Sequence, residues 1–122
     1  MRIFKNTWFE RFARREKIPD AVLKEAIDRA EKGLVDADLR GHVIKQRLAR
    51  AGQGKSGGYR SIIIFKKGER SFFVYGYAKS RLENIDRAET LAFRKAAKEL
   101  LALSDEQIEQ LIQKGALTEV DP

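Results

Sequence analysis

Four cations at strand-like spacing are the residues of this sequence best suited to chemistry. Lys45 and Arg47 stand two apart in an alternating segment, and Arg60 opens an isoleucine-rich run. Lys79 closes a segment in which Tyr75, Tyr77 and Lys79 recur at i, i+2, i+4. In an extended strand that spacing puts side chains on one face. Guanidinium forks match phosphate oxygens, and phenol rings stack on unpaired bases. A surface built from these residues therefore suits single-stranded RNA. Lys55, Tyr59 and Arg81 are further candidates for RNA contact. The competing reading sends the tyrosines into the core and leaves the cations solvated.

Such a surface can also cleave RNA, because RNA carries its own nucleophile. The ribose 2′-hydroxyl attacks the neighbouring phosphate in line. The protein must take up a proton, neutralise the pentavalent phosphate and assist the leaving 5′-oxygen. Arginine performs the second task, and a lysine crowded by other cations can act as a base. Positioning and electrostatics supply much of the acceleration. Neither a metal nor a cofactor is needed. Other chemistries lack material: there is no cysteine, and His42 is the only histidine. Gly54-Lys55-Ser56 imitates the end of a P-loop, but Ala49 stands where the motif needs its first glycine.

The charge distribution agrees with a polyanion partner. The chain of 122 residues carries +7. Between Arg40 and Arg81 lie eleven basic residues and one acid, Glu69, so this segment holds +10 and the remainder −3. A basic block inside a near-neutral protein is the footprint of a nucleic-acid face. No apolar run approaches the roughly 18 residues of a membrane span, and no signal peptide is visible, so the expected location is the cytoplasm.

The elements that must position these residues follow from periodicity. Arg2 to Lys5 reads as a short strand, and Asn6 or Thr7 offers an N-cap. Trp8, Phe9 and Phe12 are expected on one helical face. Pro19 separates this helix from a second one, which carries Val22, Leu23, Ala26, Ile27 and Ala30 and ends near Gly33. His42 to Arg50 alternates as a strand, with Val43, Lys45 and Arg47 opposite Ile44, Gln46 and Leu48. Residues 51–58 read as a flexible glycine-rich connection. Tyr59 to Lys66 and Arg70 to Lys79 complete an antiparallel meander turning at Lys67-Gly68. Phe72, Val74, Gly76 and Ala78 are expected to face the helices. Asn84 or Asp86 caps a third helix, with Ile85, Ala88, Leu91, Ala92, Ala96, Leu100 and Leu103 on one face. Ser104 and Gln107 form the capping box of a fourth. The order is β-α-α-β-β-β-α-α. The fold class is α+β, a twisted antiparallel sheet with the two N-terminal helices packed on one face and helices at the C-terminus. One domain is expected over residues 1–122, with a core of 1–103 and an acidic helical extension, 104–122. That extension either folds near the basic face and modulates access, or acts as a soluble cap.

Three stretches carry a family resemblance: Lys45-Gln46-Arg47-Leu48, Gly58-Tyr59-Arg60, and Tyr77-Ala78-Lys79-Ser80-Arg81-Leu82-Glu83-Asn84-Ile85. They resemble the RelE/HigB superfamily of toxins from type II toxin–antitoxin systems. The resemblance implies a metal-independent endoribonuclease that cleaves mRNA on the ribosome, and an antitoxin protein that silences it. It also implies roles for Lys45 and Arg47 as a paired basic set, for Arg60 as a phosphate ligand and for Lys79 at the last strand's end. Relatives with Lys-Arg after the last strand differ from Lys79-Ser80 here. The tyrosine or histidine that relatives carry near the C-terminal end has no counterpart in Glu83-Asn84-Ile85-Asp86, so Tyr77, Tyr59 or Lys55 is left to substitute. Two alternatives share the fold or the charge: a ParE-type gyrase inhibitor without nuclease activity, and a small nucleic-acid-binding regulator.

Overall fold

A computed structural model describes residues 1–50, 54–79 and 85–121. Ten elements follow in order: β1 (Arg2–Asn6), α1 (Thr7–Arg15), α2 (Asp20–Glu31), β2 (Ala37–Asp38), β3 (Val43–Arg50), β4 (Gly54–Lys66), β5 (Arg70–Ala78), α3 (Arg87–Leu101), α4 (Asp105–Gln113) and β6 (Leu117–Glu119). The strands form one sheet in the order β2-β3-β4-β5-β1-β6. β3, β4 and β5 make the expected antiparallel meander. β1 lies parallel to β5 and antiparallel to β6. The expected connection over 51–58 is shorter than its glycines suggest, because β4 begins at Gly54.

The two N-terminal helices pack on one face of the sheet, as expected, and the C-terminal helices cover the other. Phe9, Phe12, Leu23, Ala26 and Ile27 from α1 and α2 pack on Ile44, Leu48, Tyr59, Ile63 and Phe73. Ala97 and Ile108 from α3 and α4 belong to a second cluster with Phe4, Val43, Ile62, Ile64 and Phe72. Trp8 leaves its expected face: Phe9 and Phe12 are buried, whereas Trp8 is 42% exposed. One residue along a helix turns by about 100°; here Phe9 points into the core and Trp8 lies at its margin, against Tyr75 and Phe12. The buried side of α3 also differs from expectation. Leu91, Ala88 and Ala92 face outward, while Phe93, Ala96, Ala97 and Leu100 pack inward. Ile85 precedes the cap Asp86 and is buried from the loop.

A bulge in β5 changes which of its residues share a face. Ile62 pairs with Tyr75 but Ile63 pairs with Phe73, so Val74 is the extra residue. Phe72 and Val74 therefore join the second cluster instead of facing α1 and α2, as a simple alternation would have them. Gly76 and Ala78 do face α1. A Cβ on Gly76 would lie 2.6 Å from the Phe12 ring, so only glycine allows the helix this close. Asn6 ties the bulge to α1. Its Oδ1 accepts from the Phe9 N–H at 2.8 Å, and its Nδ2 donates to the Val74 carbonyl at 3.1 Å.

The acidic C-terminal segment is woven into this framework. β6 extends the sheet beside β1, Val120 enters the first cluster, and Leu117 enters the second. Both capping boxes form, at Asp86 with Glu89 and at Ser104 with Gln107. Arg2 binds Glu119 at 2.9 Å and Glu109 at 2.7 Å, and Arg70 binds Asp105 at 3.0 Å. These acids thus neutralise the start of β1 and β5, away from the later half of β5.

Ile108→Ala is expected to cost about 2–5 kcal/mol in urea unfolding, the usual range for emptying a buried aliphatic site; a cost below 1 kcal/mol would show that α4 adds little to the core. A second outcome concerns acid. The hydrogen bond from Arg2 holds the Glu119 carboxyl below its ordinary range. Its contribution is complete above the ordinary carboxylate value and is lost as pH falls through the lowered one. Glu119→Gln should therefore flatten the acid limb of a stability–pH curve and leave the neutral limb's slope unchanged.

Candidate functional site

The register of the meander brings three of the candidate residues into one row. Arg47 on β3 pairs with Arg60 on β4, and Arg60 pairs with Tyr77 on β5. All three sit on the face of the second cluster, Arg47 exposed, Arg60 half-buried and Tyr77 buried. Lys45 lies one row inward, opposite Ile62 and Tyr75. Lys79 lies one row outward and is exposed, and its N–H donates to the Gly58 carbonyl at 3.2 Å. The side chains of Lys45, Arg47, Arg60, Tyr75, Tyr77 and Lys79 therefore share a face, as the spacing predicts. Arg81 and the Lys55 side chain lie outside the described residues.

Two cations directly opposite on neighbouring strands repel each other. The fold arranges this contact deliberately on the β3 side. Gln46, fully buried, donates to the carbonyls of Ala26 at 3.0 Å and Leu34 at 3.2 Å. Its Oε1 accepts from the Asp36 N–H at 2.8 Å. Asp36 so placed accepts from the Arg47 N–H at 2.7 Å, and its carboxylate lies 3.7 Å from the Arg47 guanidinium. Asp36 steers Arg47 and offsets part of its charge, and Arg47 stays half exposed. An anion laid across the row would meet both guanidinium groups. Asp36 and Gln46 were not singled out in the sequence, because their role depends on β2 and on the loop after α2.

The tyrosines separate into three environments. Tyr59 is not on this face. It is buried among α1 and α2, edge-on to Phe12, and its hydroxyl donates to Glu16 at 2.9 Å. That corrects its expected role in RNA contact, and the cause is parity: Tyr59 and Arg60 are neighbours on a strand and point oppositely. Tyr75 is half-buried, its ring centroid 4.6 Å from Trp8 and 6.0 Å from Phe93. Tyr77 lies on the right face but is only 6% exposed. Its buried hydroxyl has no hydrogen-bond partner among the described residues. Burial pushes the phenol above its ordinary value, although Arg60 pulls the other way. Tyr77 is thus a neutral wall behind Arg60 rather than an open stacking surface. His42 sits at the far end of β3, its Nδ1 3.3 Å from the Phe65 carbonyl, and does not join the row.

The arrangement can bind an extended phosphodiester and stabilise extra negative charge on one phosphate. Among the described residues no helix is long and apolar enough to cross a membrane. The family profile of the RelE toxin of the RelE/RelB toxin–antitoxin system matches residues 1–120. No curated protein matches the chain.

Tyr77→Phe tests the environment of the row. Burying a polar group without a partner costs about 1–3 kcal/mol, so its removal should leave stability unchanged or raised. A fall of more than about 1 kcal/mol in urea unfolding would instead mean that the hydroxyl makes a bond worth keeping.

Proposed function

This chain belongs to the RelE toxin family and is a toxin of a toxin–antitoxin system; on that premise we propose that it is a metal-independent endoribonuclease acting on mRNA presented by the ribosome. The observation that carries this reading is the Arg47–Arg60 pair, directly opposite each other on β3 and β4. The scissile phosphate lies across that pair. The ribose 2′-oxygen attacks phosphorus, the bond to the 5′-oxygen breaks, and the guanidinium groups stabilise the added charge in between. Lys45 and Lys79 flank the row on the same face and serve as proton carriers, one toward each oxygen. Tyr77 sets the depth of the site by excluding water behind Arg60. The ribosome's part is to hold the mRNA extended, so that one phosphate reaches the row in line. An antitoxin protein is the partner that silences the toxin, and covering the row would suffice.

Purified protein added to a cell-free translation reaction, with primer extension on the mRNA, tests the reading. Cuts inside translated codons are expected, with the rate falling by about 10²–10³ in Arg60→Ala, the cost of losing one group that stabilises transition-state charge. Translation arrest without cuts would overturn the nuclease reading. Equal cutting of naked RNA would remove the ribosome from it.

A further inference from the structure

The pairing of β1 with β5 stops at Lys5 and Phe73, where the chain turns into α1. Beyond that point no strand among the described residues pairs with β5 on the side facing α1. Antiparallel ladders alternate between residues that bond across the pair and residues that turn their N–H and C=O away. The bond from Lys79 N–H to the Gly58 carbonyl sets this phase, so Tyr77 bonds toward Arg60 on β4. Gly76 and Ala78 then direct their backbone donors and acceptors away from β4, toward α1. The space they face is a cleft of about 200 Å³. Trp8 forms one wall, with its ring 4.6 Å from Tyr75 and 5.3 Å from Phe12. Arg15 lines it as well, its guanidinium 5.7 Å from the Phe12 ring and 3.2 Å from the carboxylate of Glu16, which also lines the cleft.

These features combine in one chemistry. An exposed indole backed by two other rings offers a stacking surface, a strand edge offers paired donors and acceptors, and the Arg15–Glu16 ion pair beside them offers further polar groups. The cleft is too small for an extended peptide chain with side chains but suits a single planar heterocycle. The cleft lies on the α1 side of the sheet, while the side chains of the row lie on the other face; the two meet at β5, where Tyr77 lines the cleft and pairs with Arg60. We propose that the cleft between α1 and the edge of β5 is a slot for one unpaired nucleobase of the RNA, with Trp8 as its stacking wall and the Gly76 and Ala78 backbone reading the base edge. This rests on the RNA-cleaving reading for its ligand, but it concerns binding and has its own readout. The slot makes the toxin sensitive to the identity of a base next to the scissile phosphate.

Trp8 is the only tryptophan, so its fluorescence reports on the slot directly. The probe is a trinucleotide with 2′-O-methyl riboses, which cannot be cleaved. Saturable change in Trp8 emission and protection from acrylamide are expected in the unmodified protein, and in Arg60→Ala at higher probe concentration. Strands made abasic at each position in turn should lose the effect at one position only. Trp8→Ala should weaken binding by about five- to hundred-fold, measured by anisotropy of a labelled probe, and Trp8→Phe should restore most of it. Binding by anisotropy with no change in Trp8 emission would overturn the slot, as would equal quenching by every abasic strand. Quenching by the antitoxin and none by RNA would overturn it in favour of a protein-docking edge. Because none of these readouts needs cleavage, a protein that fails to cut mRNA yet shows position-specific quenching would retain the slot and lose only the nuclease reading.

Discussion

The extra residue at Val74 is the constraint on which the site depends. Side chains along a strand alternate, so one inserted residue exchanges the faces of everything beyond it. Before the bulge, Phe73 faces α1 and α2; after it, Gly76 and Ala78 do. Tyr75 and Tyr77 are thereby placed with Lys45, Arg47 and Arg60 instead of against Phe9. The unpaired carbonyl created at Val74 is met by Asn6, the same side chain that caps α1. One amide thus holds the start of the first helix, the end of the β1–β5 ladder and the phase of the strand that bears Tyr77. The close approach of Phe12 to Gly76 locks the same junction from the other side.

The sheet is divided lengthwise by charge and cover. At the end where β1 and β5 begin, α3 and α4 close over Val43, Ile64, Phe72 and Phe4, and the acids of the C-terminal segment meet Arg2 and Arg70. At the opposite end Arg47 faces Arg60, and the Asp36 carboxylate lies 3.7 Å from Arg47. From Arg70 to Tyr77 is seven residues, roughly 20 Å along the strand, so the acidic segment does not screen the row. The carboxylates Glu119, Glu109 and Asp105 of the C-terminal segment thus serve the end of the sheet where β1 and β5 begin.

Much of this was legible in the sequence, for reasons that are local. The face shared by Val43, Lys45 and Arg47 follows from a period of two and was recovered, as were the Asn6 cap, the meander and the capping box of Ser104 with Gln107, whereas at the third helix only the cap residue Asp86, and not its box with Glu89, was named. What escaped depends on contacts distant in sequence. β6 is three residues long and pairs with β1 across the whole length of the chain. The bulge leaves no mark in Phe72-Phe73-Val74-Tyr75, where every residue is apolar or aromatic and either parity looks acceptable. Tyr59 was grouped with its neighbour Arg60 by type and not by direction. Trp8 was placed in the core because it is large and apolar, whereas its position one residue before Phe9 sends it to the surface. Asp36 has no pattern of its own, and only the loop held by Gln46 brings it to Arg47.

The most direct measurement is a double-mutant cycle on mRNA cleavage with Arg47→Ala, Arg60→Ala and the double variant. If both arginines hold one phosphate, each single change disables the same transition-state contact, and the double variant loses far less than the product of the two single losses. If the losses multiply, the two arginines act on separate groups, and a shared phosphate across β3 and β4 is wrong.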